Sequence, residues 1–199
     1  LSTPACKNSD KKYFTGTIEY AYTYTSYILN TDSLTKVRPA KGNFRYDKKN
    51  YQSKFINTDT ITYYYSGHLN KCITEAGSTK KYECEDYSLM TDSVLAVKEF
   101  ATEEKVLGRT CRILELQKKN SVVKYYISTD LRIAPATYKL HKSYNWDVFG
   151  EKSNGGLILK LEHRFKSFTM SGIAIEIIEG HKKFNALEIH ESLFAEICK

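Results

Sequence analysis

Between Phe14 and Tyr27 the sequence FTGTIEYAYTYTSY alternates with a period of two: Phe14, Ile18, Tyr20, Tyr22 and Tyr24 fall on one parity, and Thr15, Thr17, Glu19, Thr23 and Thr25 on the other. Only an extended chain turns alternate residues to opposite faces, so the run predicts a long β-strand with one apolar and one wet face. A sheet must receive it. The pattern returns in GNFRYD, with Phe44 and Tyr46, and in NYQSKF, with Tyr51 and Phe55, on either side of the turn Asp47-Lys48-Lys49-Asn50. ITYYYSG, NKCIT and KKYECEDY follow as short strands divided by turn residues, the last after Ala76-Gly77-Ser78. The 16 Tyr and 9 Phe, against 3 Pro and 2 Met, match this reading, because aromatic side chains fit a pleated, half-buried surface.

Residues 93–104 read either as one helix by propensity or as two strands by their valines, and strands are favoured. RILELQ and SVVKYYIS are strands about a Lys-Lys-Asn turn. Pro135 opens ATYKLHKSYNW, whose Tyr138, His141 and Trp146 share no period of two; a short helix or irregular crossover is predicted there, over residues 135–148. After Asn154-Gly155-Gly156, LILKLEHRF and GIAIEIIEG alternate again, and FNALEIHESLFAEI closes the chain as a strand or a short helix. No linker or internal repeat divides the sequence. The expectation is a flexible segment over 1–12 and one domain over 13–199: about ten antiparallel strands in a strongly curved sheet or barrel, broken once by a helical crossover.

The formal charge of +7 is carried mainly by lysine pairs such as Lys48-Lys49 and Lys118-Lys119 that fall between apolar runs, where lysines cap turns or blunt sheet edges. Nucleic acid is not an expected partner, since phosphate and base recognition favours arginine stripes. Attraction to an anionic membrane surface needs less geometry and stays open. No apolar run is long enough to span a bilayer. The start at Leu1, without methionine, leads to the expectation of an export signal removed from a periplasmic or secreted protein. Five cysteines without zinc-ribbon or redox spacing fit an oxidising compartment, with a reduced cytosolic protein as the alternative. Cys72 and Cys84 stand symmetrically about Ser78 and are the expected disulfide. Thr3-Pro4-Ala5-Cys6 lacks the leucine expected before a lipidated cysteine.

The catalytic signatures sought are missing: no nucleophile elbow, phosphate-binding loop or dinucleotide fingerprint occurs. His190-Glu191 starts like a zincin motif, but Phe194 stands where the second histidine ligand belongs. His68, His141, His163 and His181 read as isolated surface or interface residues, and Glu83, Glu85 and Asp86 as solvated carboxylates. No catalytic residue, metal ligand or cofactor is assigned, and the chain is not expected to be an enzyme. The aromatic parity supports two readings equally, plain core or the wall of a cavity that too few helices cover. The candidate ligand-binding residues are Phe14, Ile18, Tyr20, Tyr22, Tyr24, Phe44, Tyr46, Tyr63, Tyr65, Trp146, Leu159 and Leu161. Trp146 is expected on the crossover, near the sheet's concave mouth.

VLGRTCRILELQ, YYISTDLRIAPATYKLHKSYNW and GGLILKLE, with the opening GTIEYAY, resemble exported GLPGLI-like proteins of Gram-negative bacteria and, more widely, the LolA-like carriers of outer-membrane lipoproteins. The matching elements are Leu107, Gly108 and Cys111, then Tyr126, Ser128 and Asp130, then Gly156, Leu157, Ile158 and Leu159. Asn154-Gly155-Gly156 replaces the name-giving motif. The resemblance implies an unclosed antiparallel half-barrel over a short helical plug, with an apolar cavity that in the carriers holds acyl chains. The expected function is therefore binding or carriage of a lipid or other apolar ligand on the concave face. The alternative is a non-enzymatic cell-envelope adhesion or assembly protein that binds another protein, with a membrane surface or envelope protein as partner.

Overall fold

The computed structural model describes residues 13–28, 30–90, 92–180 and 190–199, without the side chains of His190 and Glu191. Its strands are β1 (Gly16–Ser26), β2 (Lys41–Tyr46), β3 (Asn50–Ile56), β4 (Thr60–Ser66), β5 (Lys71–Ala76), β6 (Lys81–Asp86), β7 (Val94–Val106), β8 (Arg109–Lys118), β9 (Val122–Arg132), β10 (Gly156–Arg164) and β11 (Phe168–Glu179). They form one antiparallel sheet in the order β6-β5-β4-β3-β2-β1-β11-β10-β9-β8-β7. The fold is mainly β, as expected, and the sheet is not closed into a barrel.

Chain order explains why this sheet is curved. β6 and β7 are its two opposite edges, yet only residues 87–93 join them. Ten inter-strand spacings on a flat sheet would separate the edges by about 48 Å. Eight Cα steps reach at most about 29 Å. The sheet must therefore curl.

Into the curl goes the crossover between β9 and β10. Two short 3-10 turns, Pro135–Tyr138 and Ser143–Asn145, lead into helix α2 (Trp146–Ser153). Lys142 N and Ser143 N both donate to Tyr87 O, and Asn145 Nδ2 donates to Asp92 O at 2.7 Å. The plug is thus tied to the segment that joins the two sheet edges. Asn154, left-handed at φ 51°, and Gly155, at φ 70°, end α2, so Asn154-Gly155-Gly156 is a helix cap as well as a turn.

Residues 94–106 make one edge strand, with a register irregularity between Ala101 and Lys105, in place of two strands or a helix. Two further helices flank the sheet. In α1 (Thr31–Val37), Asn30 Oδ1 accepts from Asp32 N and Ser33 N, and Leu34 is the buried anchor. α3 (His190–Ile197) settles the closing segment as helix where it is described, and Phe194 is its buried side chain.

Two clusters make the core. One holds the aromatic ladder of β1–β4 with Tyr87 and Tyr138; the other gathers Leu114, Leu116, Val123, Ile127, Phe149 and Ile158.

The expected Cys72–Cys84 disulfide is corrected. The β5–β6 register pairs Ala76 with Lys81, which sets Cys72 opposite Glu85 and Cys84 opposite Ile73. This one-residue offset puts the two thiols on opposite faces of the sheet. Cys84 is bonded instead to Cys198, just beyond α3, while Cys72 and Cys111 are free and buried. Cys6 lies outside the described residues.

Candidate functional site

The ladder occupies the face that the plug covers. Phe14, Ile18, Tyr20, Tyr22, Tyr24, Tyr46 and Tyr65 are buried, as is Leu159, whereas Phe44, Tyr63, Trp146 and Leu161 are only partly so. Most of the candidate wall is therefore core that the protein fills with its own side chains. What remains partly open is a rim.

Buried tyrosines need partners for their hydroxyls. Tyr20 OH donates to Ile158 O at 2.6 Å and Tyr24 OH to Pro39 O at 2.8 Å, while Tyr65 OH lies 3.0 Å from both Asn70 Oδ1 and Thr137 O. Tyr51 OH meets His141 Nε2 at 2.9 Å. Desolvation raises the phenol of Tyr24 to about 12 and drives the others further up, so all stay neutral at physiological pH.

His141 corrects the surface reading. It is fully buried among Tyr51, Tyr65, Tyr87 and Tyr138, and desolvation lowers its pKa to about 3. Its Nδ1 has no hydrogen-bond partner among the described residues. Its neutral imidazole packs between phenol rings as one more ring of the aromatic core. His163 is half-buried, bonds Ser121 Oγ at 2.9 Å and is lowered by desolvation to about 4. Only His68 matches the exposed expectation, and His181 lies outside the described residues.

The rim begins at Tyr22. Its ring lies flat across two glycines, since a Cβ at Gly42 would sit 2.8 Å from Tyr22 Cε2 and one at Gly172 would sit 2.5 Å from Tyr22 Cε1. Any side chain at either position would lift the ring. Phe55 leans over it at 6.0 Å and packs edge-on against Phe44 at 5.5 Å and Tyr63 at 5.8 Å. Trp146 stands on the plug, 5.2 Å from Tyr138 and 6.5 Å from Tyr51, and the row runs on from Tyr51 through Tyr46 to Phe44. Trp146 is on the crossover, as the sequence led one to expect.

Phe55, Tyr51, Tyr138 and His141 belong to this site but are not among the twelve candidates. Tyr51 and Phe55 could have been found, because both share a parity in β3 and pair across the sheet with Tyr46 and Gly42. Tyr138 and His141 follow no period and gave no signal.

The opposite face differs in kind. A trough of about 690 Å³ lies over β1–β5, lined by Glu19, Asn43, Arg45, Gln52, Thr62 and Tyr64 among others. Asn43 Nδ2 donates to Glu19 Oε1 at 3.0 Å and Tyr64 OH to Glu75 Oε2 at 2.7 Å. Next to it on β11, Ile173, Ile175 and Ile178 are about half exposed. Among the described residues no three His, Cys, Asp or Glu side chains converge as a metal set, and no helix is long and apolar enough to cross a membrane.

No family model matches the chain, and no curated protein matches it. Among solved structures it is similar to PNGF-II in its C2 and P21 crystal forms, each at a TM-score of 0.48, with 10% and 11% identity. These alignments cover 92% of this chain but only 32% and 33% of PNGF-II, so the chain spans about a third of the length of those relatives.

Proposed function

We propose that the chain is a non-catalytic, exported binding protein that takes an aliphatic ligand on the partly buried rim of Phe44, Phe55, Tyr63, Leu161 and Trp146. The observation that carries this reading is the flat Tyr22 ring between Gly42 and Gly172, which keeps the sheet low where the rim side chains stand around it. This is a narrower site than the whole ladder, and it fits the resemblance to LolA-like carriers. The Cys84–Cys198 disulfide supports an oxidising compartment such as the periplasm or the exterior. Burying about ten methylenes at roughly 0.8 kcal/mol each gives about 8 kcal/mol before ordering costs, which is micromolar affinity.

The test is titration with a neutral dodecyl-chain probe, read through Trp146, the one tryptophan. Phe55→Asp should abolish binding, because a carboxylate on the rim must be desolvated by the ligand. Thr23→Asp, exposed on the opposite face, should leave it intact. Equal affinities for the two variants would remove the rim as the site.

A second reading is an envelope assembly or adhesion protein that meets another protein through the opposite face. The half-exposed Ile173, Ile175 and Ile178 beside the polar trough favour it.

A further inference from the structure

The carboxylates of β6 sit on the ligand's side of the sheet. Register carries Tyr63 to Thr74 and on to Glu83, and Tyr65 to Cys72 and on to Glu85. Period-two geometry therefore puts Glu83 and Glu85 on the face of the ladder, about 10 Å across the sheet from Tyr63 and Tyr65. Both are exposed, and no ion pair among the described residues engages either. Asp86, on the opposite parity of β6, accepts from Ser88 N at 2.8 Å.

The plug supplies a further ring. Tyr144 and Asn145 are consecutive left-handed residues, at φ 56° and φ 63°, a conformation that costs a non-glycine residue energy and persists only where its surroundings hold it. Here Asn145 Nδ2 donates to Asp92 O, and Lys118 Nζ donates to Tyr144 O at 3.3 Å. The outcome is an aromatic side chain 57% exposed beside the acidic strand. Ser143 N, next to Tyr144, donates to Tyr87 O at 3.2 Å, two residues beyond Glu85, so the plug meets the end of β6 here. Desolvation is the main cause that raises the phenols of Tyr144 and Tyr63, and the Glu85 charge adds to it in both. Cations share this side: Lys81 has the parity of Glu83 and Glu85 on β6, and Lys118 is engaged with Tyr144 O, but among the described residues neither makes an ion pair with the two carboxylates.

Resting on the rim reading above, we infer that the ligand is a cationic amphiphile, an alkyl chain with an ammonium head, whose chain lies on Phe44, Phe55 and Tyr63 and whose head is held by Glu83, Glu85 and the faces of Tyr63 and Tyr144. Aromatic faces attract ammonium groups through the ring quadrupole, and two carboxylates engaged in no ion pair among the described residues, against the one lysine of the same strand face, add a Coulombic term of the same sign. A fatty-acid head would meet that pair with like charge.

Three probes of equal chain length, dodecyltrimethylammonium, dodecanoate and dodecyl maltoside, each below its micellar concentration, decide it by Trp146 fluorescence. The ammonium probe should bind about tenfold more tightly than dodecanoate at low salt, a ratio that shrinks as salt screens it. The Glu83→Gln, Glu85→Gln double variant should lose that ratio and keep its affinity for the maltoside, with an unchanged melting temperature showing that it is folded. Dodecanoate binding as tightly as the ammonium probe, or a ratio untouched in the double variant, would overturn the charge preference while leaving the rim in place. Saturable binding of none of the three would remove the rim and this inference together.

Discussion

The two core clusters solve the same problem with different side chains. Under β8–β10 the strands' buried side chains are mostly aliphatic: Leu114, Leu116, Val123 and Ile127 are almost wholly buried around Phe149 and ask nothing of their neighbours beyond shape. Under β1–β4 they are mostly aromatic, and each buried phenol must also find a hydrogen-bond partner, often a backbone carbonyl of the plug or of a distant strand. Aliphatic side chains close tightly in the depth of the first cluster. Aromatic packing leaves large, rigid rings whose outer members, Phe44, Phe55 and Tyr63, stay half-buried because no further element of the described chain covers them. One half is thus built for stability, and the other is stable in its depth and available at its rim.

Breaking each half in turn sharpens this contrast. The largest effect belongs to the tie between the aromatic half and the C-terminal helix. Cys84 and Cys198 lie 114 residues apart, so in the chain-entropy model their bond stabilises by about 5 kcal/mol. Cys198→Ser should lower the denaturation midpoint accordingly, and the same loss should follow reduction of the wild type. A midpoint unmoved by dithiothreitol would contradict the bond.

In the aliphatic half, Leu114→Ala should cost about 3 kcal/mol through the lost methylenes and the cavity they leave. An equilibrium denaturation series checks it.

The aromatic half should also be acid-sensitive. His141 titrates near 6.5 when unfolded but is held down to about 3 when folded, so the unfolded chain binds the extra proton between those values. Stability from this residue is complete above pH 6.5 and is lost progressively as pH falls towards 3. The loss at pH 5 is about 2 kcal/mol. His141→Phe should flatten that part of the pH profile. An equally steep profile in the variant would place the sensitivity elsewhere, His163 being the next group to test.

The smallest expected effect is Tyr51→Phe, which removes one hydroxyl from the Tyr51–His141 pair and leaves both rings in place. A loss of about 1 kcal/mol is expected from the lost hydrogen bond and the unpaired imidazole nitrogen. Urea denaturation resolves a change of that size.

The period-two runs made most of the fold legible in advance. β1, β2, β3, β8, β9, β10 and β11 stand where the alternation puts them, because strand pleating maps residue parity directly onto sheet face. α1 has no counterpart in the sequence reading, since its seven residues are too few for a helical period to show. The plug was legible only as an interruption after Pro135.

Parity alone determined that Tyr20, Tyr22 and Tyr24 share one face of β1 and that Phe44 and Tyr46 share one face of β2, because that property is local to each strand, while the register that sets Ile18 opposite Phe44 joined the two sets. Tertiary structure decided which of them are core and which are rim: burial depends on what lies above a residue, and Tyr138, His141 and Trp146 come from a segment about a hundred residues away. It also decided the disulfide. Symmetry about Ser78 brought Cys72 and Cys84 within one residue of opposition, but a turn one residue longer sent their thiols to opposite faces. Cys84 then found Cys198, a partner that distance along the chain hides and folding supplies.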